Sequence, residues 1–287
     1  MSERVDVKKT YKLYINGAFV RSESGRSYEV FDHDGVFLAN IAQASRKDAR
    51  DAVVAARAGQ AAWAKATAYN RGQVLFRIAE VMESRRAQFE DELRRIENLS
   101  DKKARKTVDQ AIDRVVWYAG WTDKLASLVG GNNPVAAPYF NFSVPEPTGV
   151  IAAIAPANES LLGLVSVILP AIATGNSVVV VSSFHRPMPA ITFSEVLATS
   201  DVPAGVVNIL TGDFSEVGTW LAEHMDVDGL DLAGVPAGDF ATKLEQLAAT
   251  NVKRVVRPSN VEWSDEPSTY RMRQWLEIKT VWHPIGS

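Results

Sequence analysis

VIAAIAP at Val150–Pro156, SVVVV at Ser177–Val181 and VVNIL at Val206–Leu210 decide the fold. Each is a short, almost continuous apolar run, the pattern of a strand buried on both faces of a parallel sheet. Between the runs, Leu161–Thr174 and Pro189–Thr199 read as helices. The rhythm goes on with a helix at Glu216–His224, a short strand at Gly229–Leu232, a helix at Asp239–Thr250 and a strand at Arg254–Arg257. Strand–helix alternation at this spacing predicts an α/β fold with a doubly wound, Rossmann-like parallel sheet. No GxGxxG occurs, so the common dinucleotide fingerprint is absent.

Upstream, residues 11–31 read as short strands, with Asn16-Gly17 as a hairpin turn between Tyr14-Ile15 and Phe19-Val20. Ser45 followed by Asp48 resembles a capping box and opens a first helix. Apolar residues at spacings of three and four predict a second helix from about Asn70 to Leu99 and a third from about Lys102 to Leu128. These stripes read as packing faces of an N-terminal helical layer. Gly130-Gly131-Asn132-Asn133-Pro134 breaks the third helix, and the alternating stretch YFNFSVPEPTG follows.

The chain has 287 residues, 46% hydrophobic and 23% charged, with a formal net charge of −3. That composition is ordinary for a globular protein and gives no electrostatic case for a nucleic-acid or anionic-membrane partner. No apolar run approaches the ~18 residues of a membrane span, and the polar start MSERVDVKKTYK lacks the apolar segment of a signal peptide. A cytoplasmic location is the default expectation. There is no cysteine, which excludes disulfides and thiolate metal sites. His33, His185, His224 and His283 are scattered and form no ligand pair, so no metal is expected.

The phrases YINGAFV, EPTGVIAAIAPAN, LPAIATGNSVVVV, VPAGVVNILTG, EHMDVDGLDLAG and NVKRVV stand in order over about residues 11–256. Together they resemble the nucleotide-binding half of the aldehyde dehydrogenase superfamily. In that family a cysteine thiolate attacks the aldehyde and hydride passes to NAD(P)+; a thiolate is not replaced by a generic acid or base.

Departures from the family pattern are as informative. Pro156-Ala157-Asn158-Glu159-Ser160 stands for Pro-Trp-Asn-Phe-Pro; Asn158 keeps the oxyanion-type position as a vestige, with a backbone-bonding role in a tight turn as the plainer reading. Val181-Ser182-Ser183-Phe184 stands for the ribose-gripping Lys-Pro-Ser-Glu. Thr211-Gly212-Asp213-Phe214 puts Phe214 where the family has a second glycine, and Leu232-Ala233-Gly234-Val235 loses the family's hydroxyls. Pro258 falls where the general-base glutamate belongs. The resemblance therefore implies no catalytic residues and no bound cofactor, with Phe184 and Phe214 filling the nucleotide pocket. The alternative is residual NAD binding through backbone at Gly212, Gly218 and Gly234.

The tail QWLEIKTVWHPIGS resembles the family's C-terminal oligomerisation strand, which joins a hairpin matched here by about Phe140–Val150. Leu276, Ile278 and Thr280 alternate with Glu277, Lys279 and Val281, which suits a strand with one face packed. The expected organisation is residues 1–135 as N-terminal strands and helices, 136–150 with 274–287 as a protruding arm, 151–260 as the Rossmann-like core, and 261–273 as a polar linker in place of the catalytic domain. Phe140, Phe142, Leu276, Ile278 and Trp282 are the interface candidates. The implied role is a non-catalytic subunit joining a full-length aldehyde dehydrogenase by strand addition, or self-associating through the arm. A nucleotide-responsive module and, further off, an oxidoreductase with residual NAD-dependent activity are the alternatives.

Overall fold

The computed structural model describes residues 7–286; Met1–Asp6 of the polar start and Ser287 of the arm segment lie outside the described residues. In chain order come β1 (Thr10–Tyr11), β2 (Leu13–Ile15), β3 (Ala18–Val20), β4 (Ser27–Phe31) and β5 (Phe37–Ala42). Next are α1 (Arg46–Lys65), α2 (Ala68–Ser84), α3 (Arg86–Glu97), α4 (Asp101–Trp121) and α5 (Leu125–Val129). Then follow β6 (Gly131–Asn133), β7 (Tyr139–Pro147), β8 (Val150–Ile154), α6 (Leu162–Ala173), β9 (Ser177–Val181), α7 (Met188–Ala198) and β10 (Val207–Leu210). The last are α8 (Phe214–Glu223), β11 (Gly229–Asp231), α9 (Asp239–Ala248), β12 (Arg254–Val256), α10 (Tyr270–Gln274) and β13 (Leu276–Pro284).

The central sheet runs β12-β11-β8-β9-β10-β2-β3, parallel from β12 to β10 and antiparallel over the β2–β3 hairpin at its edge. Asn16 and Gly17 both take positive φ, 52° and 74°, which the tight hairpin turn requires. The chain steps from β8 to β9 to β10, then returns to lay β11 on the other side of β8. The order therefore reverses between β8 and β11, where doubly wound sheets open a crevice beyond the strand ends.

Alternation along the buried strands sorts their side chains onto two cores. Ile151, Ala153, Val178, Val180 and Ile209 pack under α2–α4, α6 and α7. Val150, Ala152, Ile154, Val179, Val181 and Leu210 pack under α1, α8 and α9. Each buried Val or Ile removes enough apolar surface to contribute about 1.5–3 kcal/mol, so the two-faced strands are the strongest local determinant of the fold. The Ser45–Asp48 box forms as expected: Ser45 Oγ accepts from Lys47 and Asp48 N–H, and the Asp48 carboxylate accepts from Ser45 N–H at 2.8 Å. The long second helix is instead two, α2 and α3, broken at Arg85 (φ −106°, ψ 11°), and α5 is separate from α4. The apolar stripe runs through the Arg85 break, which hides it from a periodicity argument.

The arm is a three-stranded antiparallel sheet, β13-β7-β6. It starts earlier than residue 136, because Gly131–Asn133 pair with Asn141–Ser143. Leu276 is buried, but Ile278 and Trp282 are about half exposed, at 49% and 57%. The expected single packed face is absent, because β13 leaves the body after Leu276 and its ladder partner is β7 alone.

Candidate functional site

Beyond the ends of β8 and β11 lies a cleft of about 630 Å³, lined by Pro156–Glu159, Ala233–Ala237 and Pro258–Trp263. Gly234 sits where β11's exit crosses that of β8: a Cβ there would lie 2.3 Å from the Ile154 carbonyl oxygen, so only glycine allows the approach. Gly218, in the first turns of α8, also faces Ile154, with its side chain 3.4 Å from an added Cβ. Gly212 (φ +130°) lies away from both, against Gln43 and Ala44. Two of the three glycine candidates thus converge on the end of β8 and the third does not.

Asn158 is exposed at the cleft, and its carbonyl accepts from Arg186 Nη1 at 3.0 Å. Its amide makes no hydrogen bond among the described residues, so the side chain does not brace the turn as expected. Beside it, burial pushes the Glu159 carboxyl up to about 6, with Glu97 and Glu262 adding repulsion and Arg186 pulling the other way. Ser160 closes the turn by donating through N–H and Oγ to Glu97.

Phe184 and Phe214 do not fill one pocket, which corrects the expectation. Phe184 stacks on Tyr28 with ring centroids 4.6 Å apart, in a recess under β4. Phe214 meets Phe240 edge-on at 5.6 Å, between α8 and α9. Tyr28 belongs to the core on one side of the sheet and Phe214 to the core on the other. Elsewhere around the cleft, Ser183 Oγ donates to the Ala157 carbonyl, and the buried Ser182 hydroxyl has no partner. The α8 N-terminus is capped by Asp213, which accepts from Ser215 N–H at 2.8 Å, and Glu216 stands in the same turn. Those carboxylates occupy the pole of the helix dipole that favours anions.

The stretch 261–273, read as a polar linker, is packed against the body together with the two residues that follow it. Trp263 is buried, and Met272 and Trp275 are fully so. Arg271 pairs with Asp231, donates from Nε to the Ser166 carbonyl at 3.2 Å and lies over the Trp263 ring. Burial pushes the fully enclosed Asp231 carboxyl above its ordinary range, against the pull of Arg271 and of the Ala233 N–H. Trp275 seals the arm's root: a Cβ on Gly229 would meet its ring at 2.8 Å. Asn176, fully buried, ties this root to the sheet. It accepts from Gly149 N–H at 2.6 Å and donates to the carbonyls of Trp275 (2.8 Å) and Ala171 (3.2 Å). Sequence reasoning passed over Asn176, although a lone Asn between a helix end and SVVVV was its signal.

In the arm, register divides the interface candidates. Leu276, Ile278 and Trp282 share one face with the polar group Asn141, Ser143 and Thr280. Phe140 and Phe142, with ring centroids 5.4 Å apart, share the other with Val144 and Val281. Lys279 and Glu146 bridge on that second face at 3.2 Å. Among the described residues, no group of three His, Asp or Glu side chains could hold a metal, and no helix is long and apolar enough to cross a membrane.

Comparison with known proteins accounts for this architecture. Residues 19–257 match the aldehyde dehydrogenase family. An aldehyde dehydrogenase of Davidiella tassiana is 31% identical over 85% of this chain, which spans 49% of that protein. The cytosolic 10-formyltetrahydrofolate dehydrogenase of Xenopus tropicalis is 33% identical over 87% of this chain, which spans 28% of it. Among solved structures, the NAD+ complex of a Bacillus cereus aldehyde dehydrogenase superposes with a TM-score of 0.80 at 25% identity, covering 86% of this chain and 50% of that one. Betaine aldehyde dehydrogenase of Staphylococcus aureus, in complex with NAD+, gives 0.78 at 25% identity, covering 85% and 50%. The chain spans about half the length of most of these relatives. With a match that runs from the edge hairpin to the last strand of the central sheet, this chain belongs to the aldehyde dehydrogenase family.

Proposed function

We propose that this chain is a non-catalytic aldehyde dehydrogenase-type subunit that assembles with a full-length aldehyde dehydrogenase and scaffolds or regulates it. One observation carries the reading: in a sequence without cysteine, residues 257–275 run from the sheet-edge strand β12 into the arm strand β13. In support, Pro258, the second residue of that run, stands where the family pattern would have its general-base glutamate. What remains exposed is β13, with backbone free for strand addition and alternate side chains to fill pockets on a partner. The test is co-expression with a full-length aldehyde dehydrogenase of the same cell, followed by light scattering. A defined hetero-oligomer is expected, and the chain alone should give no aldehyde-dependent NAD(P)H. Deletion of 276–287 that changes neither assembly nor self-association would remove the basis of the reading. So would turnover by the isolated chain that responds to Asn158→Ala.

A second reading, an NAD-responsive module, draws on the NAD+ held by the Bacillus cereus and Staphylococcus aureus enzymes. The residues here fit that group poorly. Phe214 and Phe240 touch between α8 and α9, Asp213 already caps the α8 N-terminus with its carboxylate, and no ammonium or carboxylate replaces the ribose grip at Val181–Phe184. Calorimetry with NAD+ separates the readings: binding at tens of micromolar supports the module, and heat that stays flat to about millimolar supports the subunit.

A further inference from the structure

Under residues 257–268, on the α4 and α6 side of the crossing segment, lies a pocket of about 560 Å³, distinct in most of its lining from the switch-point cleft. Arg114 and Tyr118 line it from α4, one turn apart and so on the same helix face. Arg114 is only 6% exposed, yet it forms no ion pair within 4 Å among the described residues. Its Nη atoms donate to the Ser166 hydroxyl (2.6 Å) and the Asp265 carbonyl, and its Nε is buried with no acceptor at all. Burial pulls the guanidinium below its ordinary range, the signature of a cation without a counter-charge at contact. Tyr118 OH likewise makes no hydrogen bond among the described residues, while its ring is held edge-on by Trp117 at 5.0 Å.

The remaining charges set what would satisfy this pair. Arg271 is already neutralised by Asp231, so Arg114 supplies the surplus positive charge within the pocket. Exposed Glu262, Asp265 and Glu266 stand at the rim, while Arg257 is paired with Glu245 at 3.0 Å. One buried cation behind an acidic rim favours a monoanion over a phosphate dianion. Trp263, Val261 and Pro258 give the same pocket an apolar and aromatic wall.

We propose that this pocket binds a small organic monocarboxylate with an apolar tail, its carboxylate held by Arg114 and Tyr118 and its tail against Trp263. The site stands apart from the arm and holds whether or not the chain serves as a subunit.

Calorimetric titration of the full chain with phenylacetate, set against phenylacetamide and inorganic phosphate, tests it. Phenylacetate should bind, and both comparators should bind at least about tenfold more weakly, as loss of a charge-assisted bond implies. Tyr118→Phe keeps the ring and should weaken phenylacetate about three- to tenfold; Arg114→Gln should abolish binding. If Arg114→Gln does not fold, Tyr118→Phe and Trp263→Leu decide between them. Equal binding of the neutral amide, preference for phosphate, indifference to Tyr118→Phe, or no phenylacetate binding at about 20 mM each overturns the proposal.

Discussion

At the scale of single residues, the buried polar groups set how stability responds to conditions. Glu92 of α3 is 3% exposed; burial pushes its carboxyl up to about 7, opposed by hydrogen bonds from Thr192 (2.6 Å) and Gln88 (3.3 Å). Its second oxygen has no partner. Between the ordinary value of 4.5 and about 7 the folded state binds more protons than the unfolded chain, so this group lowers stability as pH rises through that window. Glu92→Gln keeps the acceptor for Thr192 and removes the titration. The variant should match the wild type near pH 4.5 and exceed it by on the order of 2 kcal/mol above pH 7, read by urea denaturation across pH. Such a group is hidden in sequence, because Glu92 falls among the charged positions of a helix whose stripe is drawn by Phe89 and Leu93. Arg114 is hidden in the same way, one charged residue on the buried side of Ala111, Val115 and Tyr118.

At the scale of elements, Asn176 joins three of them: the α6 C-terminus, the start of β8 and the root of β13. Asn176→Ala strands the Gly149 N–H and removes one donor from the Trp275 carbonyl. A loss of about 2–4 kcal/mol is expected, with faster hydrogen exchange at Thr148 and Leu276 than in β9 or β10. Ser45→Ala, by contrast, removes one cap and should cost about 1 kcal/mol without spreading beyond α1. Local signals made most elements legible beforehand: the Ser45–Asp48 box, the Asn16-Gly17 turn, and SVVVV, which is β9 to the residue. What local signals could not give was the break at Arg85, where the stripe continues unbroken, or the packing of 257–275. In that stretch Ser264, Pro267 and Ser268 read as linker, while Trp263, Met272 and Trp275 find their partners on α4, α6 and β11, far away in the chain.

At the scale of the whole molecule, family membership was readable because the matching phrases follow the strands of the sheet in order. The placement of Phe184 and Phe214 on opposite faces was not, since it depends on how sequence-distant layers stack. In the arm, Phe140, Phe142, Val144 and Val281 lie together on one face, Phe140 and Val144 exposed and the other two half-buried. If the arm mediates assembly, the pair Phe140→Thr and Phe142→Thr should lower the mass seen by light scattering. It should leave the denaturant midpoint unchanged, because neither ring is part of a core.

The pairing of β7 with β13 also bears on how the protein is made. Ser143 and Thr280 touch at 3.1 Å across 137 residues of chain. On the ribosome, β6 and β7 emerge long before their third strand, and all five parallel strands of the central sheet, β8 to β12, are synthesised in between. Through that interval a nascent chain shows the inner edge of β7 to the cell, unpaired and flanked by two phenylalanines. A message truncated anywhere between the codons for Val256 and Leu276 would release a chain with that edge permanently open, a natural substrate for chaperones and for quality control.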